Sequence, residues 1–456
     1  MFLKKRGNDK SALMARIKRS SGTVPGELTH PGGQMFKSIR KVKIAAVFAV
    51  AGALVLPTTP ATAAPVEITL SCFNDLNMGN LLKEWETVNP NIKINLKTAD
   101  FNAHHDGLLT QLIAGSGPDI ACVEVGYTSR FKAYPQLFTN LGKTFKANTL
   151  EKSFINWRWE QGVARDGTII GIPTDVGGLA MCYRQDLLKK AGLPNERGAV
   201  SAATSTTAKL TAFAEKYVAA TGKPFLDNVS QLFEGVSRQG ADGIQFYDKK
   251  TDKIVEVPQV KKAYDLAATF ATKKLSAEIA PWSSDWNQGM GNGAFAAMLC
   301  PSWLLANIQN NAKDIPGAWD VAQMPGGGAN WGGSQLTIPK FAAHPKQAWT
   351  FINWVLAPQQ QLKLFLDKGV LPTTPAVYKD PKFLAAKDIA YNNAPIGKIF
   401  SDVVMSIKKP IYEGKYQVSV KDAYNAAVGR MASGKQTPAA SWAQLMKEIK
   451  KIKSLS

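Results

Sequence analysis

The sequence predicts an α/β protein of two domains. Three observations lead there. Strand-like runs alternate with helical periods after residue 65, as in a mainly parallel sheet. The chain of 456 residues exceeds what one hydrophobic core usually supports. Its composition, 45% hydrophobic and 20% charged, is that of a folded chain with no long low-complexity tract.

The elements follow in order. Residues 66–73 (VEITLSCF) alternate and are β-rich, which reads as a strand. Asn74 to Asn77 then offers caps for a helix with Met78, Leu81, Leu82 and Trp85 on one face, ending before Asn89-Pro90. A second strand over residues 92–96 leads through a loop into a helix over 108–115, and Gly117-Pro118 turns the chain into a third strand over 119–125. Ligands in such sheets bind beyond the carboxyl ends of the strands. That rule selects Asn74 and Asp75 after the first strand, Phe101 and Asn102 after the second, and Glu124 and Tyr127 after the third. Residues of these types also cap helices and form turns, and only their joint placement at one edge favours a site.

The net charge of +20 invites a polyanionic partner until it is divided along the chain. Residues 1–63 carry eleven Lys and Arg against Asp9 and Glu27, so +9 lies there and +11 is spread over the remaining 393 residues. The basic cluster from Lys37 to Lys43 runs into 13 uncharged residues, 44–56, and then into the small-residue string Ala61-Thr62-Ala63-Ala64. This is the pattern of a secretory signal, with cleavage expected after Ala63. The apolar run is shorter than the roughly 20 residues of a membrane span. Met35 opens a standard signal, so residues 1–34 are either an extension of it or precede the true start. No cysteine follows closely enough for a lipid anchor, so a freely diffusing periplasmic protein is expected. Cys72, Cys122, Cys182 and Cys300 each sit in an apolar run without CxxC spacing, and they read as small buried hydrophobes, with one Cys182–Cys300 bridge as the alternative.

Five segments carry a resemblance: 81–94 (LLKEWETVNPNIKI), 111–120 (QLIAGSGPDI), 167–193 (GTIIGIPTDVGGLAMCYRQDLLKKAGL), 295–303 (FAAMLCPSW) and 330–339 (NWGGSQLTIP), the last followed by the helix 346–355. Together, in this order, they are similar to the extracellular solute-binding proteins of ABC sugar importers, of the maltodextrin-binding type. The resemblance implies a type II periplasmic-binding-protein fold: two α/β lobes, with a hinge crossed more than once and a sugar clamped between. It divides the chain into 64–176 with 332–380, and 177–331 with 381–456. Crossings are expected near Asp175-Val-Gly-Gly178, whose glycines would allow positive φ, in the Gly-rich run 325–333, and near 372–385. The implied partners are a carbohydrate and, transiently, the importer's membrane subunits, with the chain itself a monomer.

A sugar offers C–H faces and a hydroxyl edge, so its site needs aromatic platforms and polar groups that donate and accept. Among 11 tryptophans, Trp85, Trp349, Trp354 and Trp442 fall on helical periods and read as core. Trp303 and Trp331 stand where the family places its stacking residue and its hinge-side contact, with Gly332 and Gly333 beside them. Trp282 and Trp286, in a polar segment with Asp285, suit a sugar rim; Asp285 and Trp286 are taken as contacts. Glu124, Asp75 and Asp175 are the other candidate carboxylates. A carboxylate pair also describes a glycoside hydrolase, the rival from another class; a polyol phosphate or a polyamine are rivals within the binding class. No phosphate loop, HExxH, GxGxxG or GxSxG pattern occurs, and His104-His105, expected on a loop, cannot easily share one metal. No catalytic residue, metal, cofactor or nucleic acid is therefore expected.

Overall fold

The computed structural model describes residues 64–240, 243–407, 409 and 411–455. The expected export segment, residues 1–63, lies outside the described residues.

In the first sheet β1 (Val66–Cys72) pairs in parallel with β2 (Ile92–Thr98) on one side and β3 (Ile120–Glu124) on the other. The intervening helix α1 (Gly79–Val88) buries Leu81 and Trp85, and the Trp85 indole N–H donates to the Ile92 carbonyl at 2.9 Å. The next helix, α2 (Phe101–Ile113), starts well before the expected residue 108. Asp100 is the reason: its Oδ1 accepts from the N–H groups of Asn102 (3.1 Å) and Ala103 (3.3 Å), two of the donors a helix start leaves free. His104 and His105 are therefore helix residues, both buried, and not loop residues. The short helix α3 (Val125–Lys132) follows β3 directly. β4 (Gly171–Pro173) closes the sheet, and the strand between it and β3, β10 (Ser334–Thr337), comes from far downstream and is antiparallel to both.

The second sheet departs from the expected parallel arrangement. β5 (Leu179–Arg184) lies between β8 (Ala297–Pro301) and β9 (Trp319–Ala322), antiparallel to each. β8 and β9 run the same way and are joined through helical turns over residues 302–311, as parallel neighbours would be. β5, arriving from the first sheet, occupies the space between them and reverses the pairing. A small hairpin, β6 (Tyr247–Asp248) with β7 (Lys253–Ile254), projects from this lobe.

The segments joining the two sheets are hydrogen-bonded to one another. Trp331 N–H donates to the Gly177 carbonyl at 2.7 Å and Val176 N–H to the Leu371 carbonyl at 3.1 Å, so residues near 176, 331 and 371 run side by side. Arg158, with 0% exposure, fastens this junction. Its Nε donates to the Asp175 carbonyl and its Nη2 to the Ser334 carbonyl, each at 2.9 Å, and Nη1 donates to Gln161 Oε1. The glycines serve differently from expectation. Gly177 is not at positive φ; it is needed because a Cβ there would meet the Trp331 carbonyl oxygen at 1.9 Å. Gly333 has φ 107°, and its missing side chain leaves room for the Arg158 guanidinium.

All four cysteines are paired, as Cys72–Cys122 and Cys182–Cys300. The reading as lone buried hydrophobes is corrected, and the alternative bridge stands beside a second one. The cause is register. Leu70 faces Ile120 on adjacent strands, so two residues on, Cys72 meets Cys122 with Cα atoms 4.9 Å apart. Cys182 and Cys300 are diagonal neighbours on β5 and β8 with Cα atoms 5.8 Å apart. The second bridge closes the longer loop, with a sequence separation of 118 against 50. Replacing Cys182 and Cys300 by Ala should lower unfolding free energy by about 2–5 kcal/mol. Urea denaturation should also show a larger loss than for the Cys72/Cys122 pair.

Candidate functional site

A cavity of about 670 Å³ opens between the two lobes. That volume lies within the range of small-molecule sites.

One wall grows from the carboxyl ends of β1 and β3. Asn74 lines the cavity, with its Oδ1 accepting from the Leu76 N–H at 2.8 Å to shape the turn. Phe101 and Asn102, in the first turn of α2, face Tyr127 in the first turn of α3. Tyr127 Oη donates to Asn102 Oδ1 at 2.6 Å, and its ring stacks on His105 with centroids 4.1 Å apart. His105 is fixed in turn, because its Nε2 accepts the Glu124 N–H at 3.0 Å, which leaves Nδ1 to donate to the Phe101 carbonyl. His104 Nε2 donates to the Cys122 carbonyl at 2.9 Å, so the two histidines order the wall as polar struts from α2 to the β3 backbone. Among the described residues no cluster of His, Cys, Asp or Glu could hold a metal.

Glu124 caps α3, its Oε2 accepting from the Gly126 N–H at 2.7 Å. Burial pushes this carboxyl up to about 7, against the pull of Lys421 and the Gly126 N–H. Across the cavity stand Glu234, Arg238 and Lys421 from α4 (Val229–Ser237), its C-terminal end, and α6 (Gln417–Ala432). Between these two helices in sequence, α5 (Ser284–Asn292) buries Trp286. Glu234 Oε1 receives both Arg238 Nη2 and Lys421 Nζ at 2.9 Å. Burial alone would raise its pKa, but the two cations hold it down to about 2.

The floor is the junction. Asp175, Trp331, Gly332 and Gly333 line it, and Asp175 Oδ1 accepts from the Ser334 N–H at 2.9 Å. Trp303, just beyond β8, forms the opposite aromatic face, its ring centroid 5.9 Å from that of Trp331.

Of the thirteen residues selected from sequence, the cavity brings together Asn74, Phe101, Asn102, Glu124, Tyr127, Asp175, Trp303, Trp331, Gly332 and Gly333. Three stand elsewhere. Asp75 turns away to accept the Asn77 N–H at 3.0 Å. Asp285 is exposed in the first turn of α5. Trp286 is 0% exposed, its Nε1 donating to Asp227 Oδ2 at 2.8 Å, so it belongs to the core and not the rim. The rim residue is its neighbour Trp282, which lines the cavity. Sequence reasoning also missed Glu234, Arg238 and Lys421. An opposite-charge pair at i, i+4, Glu234 with Arg238, was the available signal for the first two; Lys421 had none.

Three comparisons bear on this geometry. The profile of the bacterial extracellular solute-binding proteins matches residues 80–391, and the chain belongs to that family. Arabinooligosaccharide-binding proteins of Bacillus subtilis and Halalkalibacterium halodurans are 26% and 27% identical to it. The first alignment covers 82% of this chain and 89% of the relative, the second 65% and 68%. A crystal structure described as an extracellular solute-binding protein family 1 member superposes with a TM-score of 0.77 at 33% identity, over 85% of this chain and all of the other. The ABC transporter associated binding protein of B. animalis subsp. lactis, solved with β-1,6-galactobiose, shares the two-lobed fold at a TM-score of 0.72 and 22% identity, over 86% of this chain and 98% of the other.

Asp227, behind the aromatic face, has its carboxyl pushed by burial up to about 7. The folded chain therefore keeps a proton that an unfolded aspartate, with a pKa of about 3.9, has released. Stability should fall as pH rises from about 4 to about 7 and level off above. Asp227→Asn should flatten that fall, giving a higher Tm than the wild type at pH 8 and little difference at pH 4, read by thermal denaturation.

Proposed function

We propose that this protein captures a carbohydrate between its lobes and delivers it to an ABC importer, performing no chemistry on it. The observation that carries the reading is the cavity itself: indole faces of Trp303 and Trp331 meet carboxylates and amides from the opposite wall within one enclosed volume. Apolar faces suit sugar C–H groups, and Glu124, Asp175 and Asn102 suit hydroxyls. The names of the arabinooligosaccharide-binding relatives support the same class of ligand.

The lobes in this proposal are residues 64–176 with 332–380 and 177–331 with 381–456, and the hydrogen-bonded segments near 176, 331 and 371 act as the hinge. A ligand touching both walls gains its full contacts only when the lobes close, so binding shifts the population toward the closed form. The closed form is what the importer's membrane subunits recognise, transiently, and the binding protein acts as a monomer. Export of the chain with cleavage after Ala63, and free diffusion in the periplasm, complete the proposal; two disulfides are in keeping with an oxidising compartment. Among the described residues no helix is long and apolar enough to cross a membrane.

A thermal-shift screen against glycans, with product analysis, tests the reading. A sugar that raises Tm and is recovered intact supports it; cleavage of that sugar would establish a hydrolase instead. Trp303→Ala should weaken binding of the same sugar by about 1–3 kcal/mol, by analogy with base stacking on aromatic side chains, while leaving the fold intact. Unchanged affinity by calorimetry would remove Trp303 from the site.

Glu124 adds a pH dependence. Its carboxyl, at about 7, is mostly protonated at pH 6 and ionised at pH 8. Hydroxyl donors favour the ionised form, so affinity should rise across that interval as binding releases a proton, and Glu124→Gln should abolish the rise. Calorimetry in buffers of different ionisation enthalpy reads the proton directly.

A further inference from the structure

We infer that the β6–β7 hairpin is an electrostatic clasp between the lobes: two ion pairs reach from it to the first lobe and bias the protein toward its closed form, so that ionic strength tunes ligand affinity from outside the cavity. This rests on the reading of capture by closure and adds a control of closure to it.

The charges on the two sides complement each other. The hairpin carries Lys249 and Asp252; the first lobe answers with Glu160, in the helix Asn156–Gln161, and with Arg165 just after it. Lys249 Nζ meets Glu160 Oε2, and Arg165 Nη1 meets Asp252 Oδ2, each at 3.1 Å. All four residues line a second cavity, of about 790 Å³, whose walls come from both lobes, so beside the pairs the lobes are spaced and not packed. None of the four borders the first cavity. Neither pair serves the folding of one lobe, since each joins one lobe to the other.

The hairpin is braced to present these charges, although two short strands are marginal by themselves. Asp248 Oδ1 accepts from the Lys250 and Thr251 N–H groups at 2.9 and 2.8 Å, and the Asp248 carbonyl accepts from the Asp252 N–H at 2.9 Å, which closes the turn. Asp252 stands at φ 56°, a left-handed conformation that aspartate tolerates better than most residues. Tyr412 Oη donates to its Oδ1 at 2.8 Å, leaving Oδ2 for Arg165. Tyr247 is buried at the base, where its Oη accepts from the Tyr416 N–H at 3.1 Å. A carboxylate already held in its bound position loses little entropy when the pair forms. The pairs are solvent-accessible, so each shifts the closure equilibrium by up to about fivefold, and salt screens it.

The test swaps the Lys249–Glu160 pair, with α-1,5-arabinotriose, maltotriose and β-1,6-galactobiose as probes. For a probe that binds, raising NaCl from about 20 to about 500 mM should weaken the wild type about threefold or more. Lys249→Glu and Glu160→Lys should each weaken binding about threefold or more at low salt and lose most of that salt dependence, because like charges then face each other. Combining the two should restore affinity and salt dependence to within about twofold of the wild type, which a merely structural role would not do. The sugar-free protein gives a separate readout. Carbodiimide, which joins an ammonium to a carboxylate in contact with it, should link Lys249 to Glu160, with Lys273 and Glu215 inside the second lobe as the control pair. The ratio of the two products, read by mass spectrometry, should fall at high salt. The inference is overturned by single variants that bind like the wild type, by a double variant no better than the single ones, by a ratio indifferent to salt, or by no Lys249–Glu160 product where the control forms. If no probe binds, that failure belongs to the carbohydrate reading, and the coupling ratio still decides the clasp.

Discussion

The junction between the sheets depends on the buried guanidinium of Arg158. It donates to carbonyls of two segments distant in sequence, at Asp175 and Ser334, and so ties the first passage between the sheets to the second. A buried charge is costly unless its donors are satisfied. Here backbone carbonyls and Gln161 supply the partners, and Gly333 supplies the space. Because Asp175, Gly333 and Ser334 also line the cavity, the group that holds the junction sets the floor of the site.

The walls are built by the same economy of parts. Glu124 ends a strand, caps a helix and presents its carboxyl to the cavity, and His105 fixes both the Glu124 backbone and the Tyr127 ring. On the far side the Glu234 carboxylate gathers Arg238 and Lys421, two cations on one carboxylate. Amides and carboxylates on both walls suit hydroxyl recognition. Trp303 and Trp331 supply area without charge.

Much of this was legible beforehand. The strand-helix alternation and the strand-end rule located Asn74, Phe101, Asn102, Glu124 and Tyr127, because chain direction alone decides which end of a parallel strand carries a site. Local chemistry failed where two readings share one pattern. Trp282 and Trp286 sit in the same polar segment, and only the packing of α5 against Asp227 shows that the second is core and the first is rim. By strand-end position Phe101 and Asn102 read as loop residues, although Asp100, a good cap, marks the helix that carries them.

The sequence by itself determined the class of fold, the elements of the first sheet and most residues at its functional edge, since these follow from periodicity, caps and strand direction within short windows. Only the tertiary structure decided what depends on residues far apart. It paired Cys72 with Cys122 and Cys182 with Cys300, inserted β5 between β8 and β9, placed β10 between β3 and β4, and brought Lys421 to Glu234. Each is a contact between distant stretches of chain, and no local propensity encodes which distant stretch arrives.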